Sequence, residues 1–126
     1  MKLKDIMITE VKIIEPQDTL LKAHNDMRAA GIRHLLVVSK GTLVGVLSQR
    51  DVALHQERTG ESIFSSPCDT VSMAMQESVV TASPNEECSF AARRMSSEKL
   101  GCLPVMEDGT VVGIVTTSDI LATYPA

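Results

Sequence analysis

The apolar and polar positions of the chain follow the same order twice. In each half an extended apolar segment, Val11 to Ile14 or Val79 to Ala82, leads to a proline, whose fixed φ and missing N–H suit the end of a strand. Apolar residues then recur at helical spacing, and two short apolar runs follow, separated by a turn that contains glycine. Each half is therefore predicted to run strand, helix, strand, strand, helix.

The first predicted helix of each half carries an apolar stripe that would face a sheet. In the first half we expect a cap at Asp18 or Thr19, an end at Gly31, and a stripe formed by Leu20, Ala23, Met27 and Ala30. In the second half the candidate cap is Asn85, and the stripe consists of Phe90, Ala91 and Met95, with Leu100 just beyond it. The turns at Lys40-Gly41 and Asp108-Gly109 fit hairpins of type I′, in which glycine accepts a positive φ.

The two halves align with each other without a gap. Pro16 meets Pro84, Gly45 meets Gly113, and Asp51 meets Asp119. The period is longer than that of common solenoid repeats and leaves only two copies, so it indicates a domain duplication. We predict a first domain over 1–57, a linker rich in Gly, Pro and Ser over 58–70, and a second domain over 71–126. The fold class predicted for the pair is α/β of the α+β type, packed with pseudo-twofold symmetry.

Composition narrows the class of protein. The chain has 126 residues, of which 44% are hydrophobic but only 2% aromatic, so the core must be built from aliphatic residues and Met. The net charge of -4 argues against binding to nucleic acid or to an anionic membrane surface. No signal peptide or membrane span is visible, and we expect a soluble, cytoplasmic protein.

The cysteines and histidines give no metal-site pattern. Cys68, Cys88 and Cys102 are odd in number and lack a C-x-x-C spacing, so reduced, buried thiols are favoured over a disulfide or a metal site. His24 and His55 lie in predicted helices without paired ligands and are interpreted as surface residues. No metal site is predicted.

One polar motif is present in both halves, as "GVLSQRD" and "GIVTTSD". A hydroxyl and backbone N–H groups at the start of a helix can bind an anion, and a carboxylate three residues later can accept hydrogen bonds from a ribose diol. Ser48 with Asp51, and Thr116 with Asp119, also have the spacing of capping boxes. The spacing alone favours the cap, because capping needs no ligand.

These motifs in this order, with "IRHLLVV" and "GCLPVM" after the first helix of each half, resemble two consecutive cystathionine-beta-synthase-type (CBS) domains over nearly the whole chain. The resemblance implies a Bateman module in which the two copies pack through their sheets around two clefts. It also implies a homodimer that binds an adenine-containing ligand, such as AMP, ADP, ATP, NAD or S-adenosylmethionine, and regulates a separate protein. No cofactor is required.

Carried over to this chain, the resemblance implies two candidate sites. The first joins Thr116, Ser118 and Asp119 to Thr9, Val11, Arg33, His34 and Leu35. The second joins Ser48, Arg50 and Asp51 to Glu77, Val79, Gly101, Cys102 and Leu103. Asp51 and Asp119 would hold ribose hydroxyls, and the hydroxyl residues with Arg50 would face phosphate. Leu36 stands where the second copy has Pro104, and Glu77 stands where the family often has a small or hydroxyl residue.

The chain carries no recognisable catalytic motif of a hydrolase, metalloprotease or P-loop enzyme. No duplicated nucleophile and base accompany the duplicated fold, and we predict that the protein is not an enzyme. Two interpretations stay open: a regulatory module that senses a nucleotide, and a structural or dimerisation module in which the two motifs serve only as helix caps.

Overall fold

The computed structural model describes residues 1–123, so the predicted end of the second domain at residue 126 lies outside the described residues. The chain forms two compact units. The first unit is Lys12–Val79, and the second unit combines Met1–Val11 with the chain from Val80 onward. Both units contain strands and helices, and the predicted α+β class is confirmed.

The first unit contains β1 (Ile13–Ile14), α1 (Leu20–Ala30), β2 (His34–Ser39), β3 (Thr42–Ser48) and α2 (Gln49–Thr59). β1 pairs parallel to β2, and β2 pairs antiparallel to β3. The second unit contains α3 (Cys88–Ser97), β4 (Cys102–Glu107), β5 (Thr110–Thr116) and α4 (Thr117–Leu121), with β4 antiparallel to β5. The predicted order of elements is therefore confirmed in the first unit.

The second unit replaces the strand that was predicted over Val79–Ala82 with a single bridge between Ala82 and Val105. The equivalent strand of the first unit is held in part by the Leu36 N–H, which donates to the Lys12 carbonyl at 3.2 Å. Pro104 stands at the position of Leu36 and has no N–H to donate. The exchange of leucine for proline therefore shortens the parallel ladder.

Each unit is completed by the segment that precedes the other repeat. The N-terminal segment (Met1–Val11) belongs to the second unit, where Leu3 is fully buried in the core. The middle segment (residues 71–79) belongs to the first unit, where Val71 is fully buried. The compact units therefore divide the chain at other residues than the predicted domain boundaries. The boundaries predicted from the sequence describe the two repeats and stay a prediction.

The helix ends show which of the predicted capping residues were correct. Thr19 caps α1, since its hydroxyl accepts a hydrogen bond from the Lys22 N–H at 3.0 Å, and α1 ends at Gly31 with a φ of 66°. The predicted cap at Asn85 is wrong, because α3 begins after Glu87 and has no side-chain cap.

Burial corrects four further predictions, those for Ala30, Phe90, His55 and Cys68. Leu20, Ala23 and Met27 lie in the core, but Ala30 is exposed, as is Phe90 of the second helix. His55 is not a surface residue: it is only 6% exposed, and its Nε2 lies 2.9 Å from the Asp69 carboxylate. Of the cysteines, Cys88 and Cys102 are buried and Cys68 is exposed.

The hairpin turns have the predicted geometry. Lys40 and Gly41 have φ values of 51° and 79°, and Asp108 and Gly109 have φ values of 51° and 77°. Two successive positive φ angles are the requirement of a type I′ turn. Among residues 1–123 there is no helix long and apolar enough to cross a bilayer.

Candidate ligand-binding site

Each unit has one polar corner, where the first strand of its hairpin begins, the second strand ends and a helix starts. We call the group Arg33, His34, Leu35, Ser48, Arg50 and Asp51 the first corner. The equivalent group Gly101, Cys102, Leu103, Thr116, Ser118 and Asp119 is the second corner. Every one of these residues was a candidate from the sequence.

The antiparallel register brings the two ends of each hairpin together. His34 pairs with Ser48, and Cys102 pairs with Thr116. The grouping expected from the sequence had placed each of these strand starts with the hydroxyl and carboxylate of the other repeat. Within each unit a strand start also lies opposite the hydroxyl residue of its own repeat, because a hairpin sets the start of its first strand opposite the end of its second. The grouping across the two repeats stays a prediction.

Both hydroxyl and carboxylate pairs form complete capping boxes. The Ser48 hydroxyl accepts from the Asp51 N–H at 3.1 Å, and the Asp51 Oδ2 accepts from the Ser48 N–H at 2.8 Å. Thr116 and Asp119 repeat both bonds at 3.3 and 2.8 Å. In each box the cap uses the Oδ2 of the carboxylate. The Oδ1 of Asp119 has no side-chain donor among the described residues, whereas the Oδ1 of Asp51 accepts a hydrogen bond from the Gln76 amide at 3.1 Å.

The N-terminal segment and the middle segment, together called the leading segments, supply the remaining candidates. Thr9 and Val11 belong to the second unit, and Glu77 and Val79 belong to the first. Ile8 exchanges backbone hydrogen bonds with Ile114 at 2.9 and 3.0 Å, and Gln76 exchanges equivalent bonds with Val46. In each unit, a leading segment is therefore hydrogen bonded through its backbone to the strand that ends in the hydroxyl residue of the corner.

The glycine of the repeated motif explains how these segments approach so closely. A Cβ at Gly45 would lie 2.9 Å from the Gln76 carbonyl oxygen, and a Cβ at Gly113 would lie 3.1 Å from the Ile8 carbonyl oxygen and 2.7 Å from the Met7 sulfur. The sequence showed this glycine in both copies, but its partner is distant in the chain and could not be identified from the motif.

The two corners are alike in which of the following positions are buried and which are exposed. Leu35 and Leu103 are at most 1% exposed and belong to the two cores, so they can offer a ligand only backbone groups. Arg33, Arg50 and Ser118 are exposed, as is Gly101.

The charge of the two corners differs. Arg33, His34 and Arg50 of the first corner correspond to Gly101, Cys102 and Ser118 of the second. Burial lowers the pKa of His34; nearby Asp51 acts to raise it and Arg33 to lower it further. The neutral imidazole is therefore favoured, and the two arginines provide the positive charge of the first corner.

Comparison with known protein families identifies the family of this chain. The model described as CBS domain matches residues 3–57 and again residues 71–125. The chain belongs to the CBS domain family. The resemblance seen in the sequence is thereby confirmed, and each match contains one of the two hydroxyl and carboxylate motifs.

Individual CBS relatives include both short proteins and parts of enzymes. The chain is 31% identical to the CBS domain-containing protein YhcV of Bacillus subtilis, over 93% of this chain and 81% of that protein. It is 33% identical to an L-aspartate semialdehyde sulfurtransferase of Methanosarcina acetivorans, but it spans only 22% of that enzyme. The match to the enzyme thus concerns an accessory CBS pair.

A solved CBS structure matches almost the whole chain. The CBS domain pair of protein MJ0100, in complex with 5′-methylthioadenosine and S-adenosyl-L-methionine, superimposes with a TM-score of 0.83 at 27% identity. The match covers 97% of this chain and 94% of that one. Within residues 1–123 no three His, Cys, Asp or Glu side chains are grouped to hold a metal ion.

Proposed function

We propose that this CBS pair is a regulatory, non-enzymatic module that binds adenine-containing ligands at its two corners. The observation that carries the proposal is the second corner, where the Asp119 carboxylate sits at a helix start and only its Oδ2 serves the cap. A ribose diol needs an acceptor in this position, and backbone N–H groups at a helix start favour phosphate. The adenosine-type ligands bound by the MJ0100 domain pair support the same class of ligand.

The proposed contacts follow the two corners and their leading segments. In the second unit they are Thr9, Val11, Gly101, Cys102, Leu103, Thr116, Ser118 and Asp119. In the first unit they are Arg33, His34, Leu35, Ser48, Arg50, Asp51 and Val79. The two arginines of the first corner favour a ligand with phosphate groups, because a guanidinium donates charge-assisted hydrogen bonds to phosphate oxygens. The second corner lacks basic side chains at these positions and favours a ligand with little negative charge.

The regulated protein, a homodimeric assembly and a cytoplasmic location are parts of the same proposal. A ligand would act on such a partner only through different affinities for two arrangements of the module.

A ligand-free structural module is the second candidate function. It is favoured by the completeness of both capping boxes, which account for Ser48, Asp51, Thr116 and Asp119 without any ligand.

Titration calorimetry with AMP, ADP, ATP, NAD and S-adenosylmethionine separates the two candidates. We expect a Kd below about 1 mM for at least one of them, a binding free energy of roughly -4 kcal/mol or better. For S-adenosylmethionine, which has no phosphate and suits the second corner, Asp119→Ala should weaken binding at least about tenfold, because the hydrogen bonds lost involve a charged acceptor.

The matched control is Thr116→Ala, which removes the hydroxyl of the cap and keeps the carboxylate. If both variants lose about 1 kcal/mol of folding stability and no ligand binds to the unmodified protein, the cap alone explains the motif.

A further inference from the structure

The carboxylates of the two corners differ in their second oxygen. In the first unit the Gln76 side-chain Nε2 donates a hydrogen bond to the Asp51 Oδ1 at 3.1 Å. In the second unit no side chain of the described residues donates to the Asp119 Oδ1. The oxygen that a ribose diol would use is therefore occupied in one corner and available in the other.

The difference is caused by a single pair of equivalent residues. Gln76 forms an isolated bridge with Val46, and Ile8 forms the same bridge with Ile114. The two residues thus occupy the same place in the two leading segments, on the strand that ends in the hydroxyl residue. Isoleucine has no donor, so the second corner cannot make the bond that Gln76 makes in the first.

The surroundings of Asp51 strengthen its bond to Gln76. Asp51 is 8% exposed, whereas Asp119 is half-buried, and a hydrogen bond to a buried carboxylate is costly to leave unmade. The Asp51 Oδ2 is already used by the Ser48 N–H. With Gln76 in place, both oxygens of Asp51 have partners within the unit.

We propose that Gln76 is a specificity-determining residue that occupies the ribose acceptor of the first corner, so that the second corner binds a ribose more readily. A ribose diol at Asp51 therefore competes with the Gln76 amide for the acceptor sites of Oδ1. The exposed position of Gln76 permits that movement without disturbing the core. This inference rests on the proposed function, since it assigns unequal affinities to the same two corners.

Site-resolved NMR titration with AMP tests the proposal on the full chain. The backbone amide of Ser48 reports on the first corner and that of Thr116 on the second, since each donates to the carboxylate of its own corner. Because the arginines of the first corner attract the phosphate of AMP, Kd values are compared within the first corner, between the unmodified protein and its Gln76 variants. Gln76→Ile, which copies the residue at position 8, should lower the Kd seen at Ser48 about threefold to tenfold and leave that at Thr116 unchanged.

The reciprocal variant and a ligand control complete the experiment. Ile8→Gln places an amide beside Asp119 and should raise the Kd at Thr116 by a similar factor. A 2′,3′-dideoxy analogue of AMP lacks the diol and should gain nothing from Gln76→Ile. Gln76→Ala serves as the second variant if isoleucine disturbs folding.

The outcomes separate this inference from the proposed function. A response at Thr116 with an unchanged Kd at Ser48 in both Gln76 variants overturns the role of Gln76 alone. An equal gain for the dideoxy analogue overturns it too, because the gain would then not involve the diol. If neither amide responds to millimolar AMP in the unmodified protein or in any variant, the AMP-binding function and the role of Gln76 both fail.

Discussion

The first and second corners are built on the same backbone plan and carry different chemistry. In both, a capping box joins a hairpin to a helix, and a leading segment is hydrogen bonded to the last strand. The first corner adds two arginines, a histidine and the amide of Gln76, and the second has none of these at the equivalent positions. Duplication has thus preserved the groups that shape each corner, while several side chains around it have diverged.

In both units the leading segment packs closely against the glycine of the repeated motif. Disrupting this contact should have the largest effect on folding stability. In Gly45→Ala the new methyl group would meet the Gln76 carbonyl oxygen at 2.9 Å, and a backbone atom cannot move aside easily. We expect a loss of about 2 kcal/mol in the free energy of unfolding, measured by urea denaturation.

Gly113→Ala is the matched change in the second unit. Its nearest neighbour is the Met7 sulfur at 2.7 Å, at the flexible end of a side chain, so the loss should be smaller, about 1 kcal/mol. An equal or larger loss in Gly113→Ala would contradict this account of how the two segments are held.

A smaller effect concerns the histidine that only the first corner carries. Because burial lowers the pKa of His34 in the folded state, the unfolded chain binds the proton more readily as the pH falls through the usual histidine range. The stability that the neutral imidazole contributes is present above a pH of about 6.5 and is lost as the pH falls through the lowered folded-state pKa.

His34→Asn should therefore reduce the loss of stability between a pH of about 7 and about 5, followed by thermal unfolding at each pH. His24→Asn is the control, because it leaves His34 in place. If the loss of stability at low pH is unchanged in His34→Asn and reduced in His24→Asn, the histidine of the first corner does not cause that loss.

Local chemistry made much of the fold predictable from the sequence. The Thr19 cap, the two glycine turns and the capping boxes at Ser48 and Thr116 depend on residues within four positions of one another. Such short-range bonds are visible in a sequence as fixed spacings. The family resemblance added the role of these motifs, which spacing alone assigned to caps.

Contacts between distant parts of the chain were not predictable in this way. His55 lies on a helix that looked exposed, but Asp69 of the connecting segment pairs with it. The hydrogen bond between Gln76 and Asp51 also joins residues far apart in the chain, and no periodic pattern of the sequence predicts it. The expected grouping of strand starts with the motif of the other repeat stays a prediction, because the hairpin register describes only contacts within a repeat.

The most direct test of the account is a crystal structure of the full chain with AMP at saturating concentration. We expect the ribose hydroxyls at the second corner to lie about 2.6 to 3.2 Å from the Asp119 carboxylate, with Oδ2 still accepting from the Thr116 N–H. A structure in which AMP binds away from both corners, and Asp119 contacts only Thr116, would contradict it.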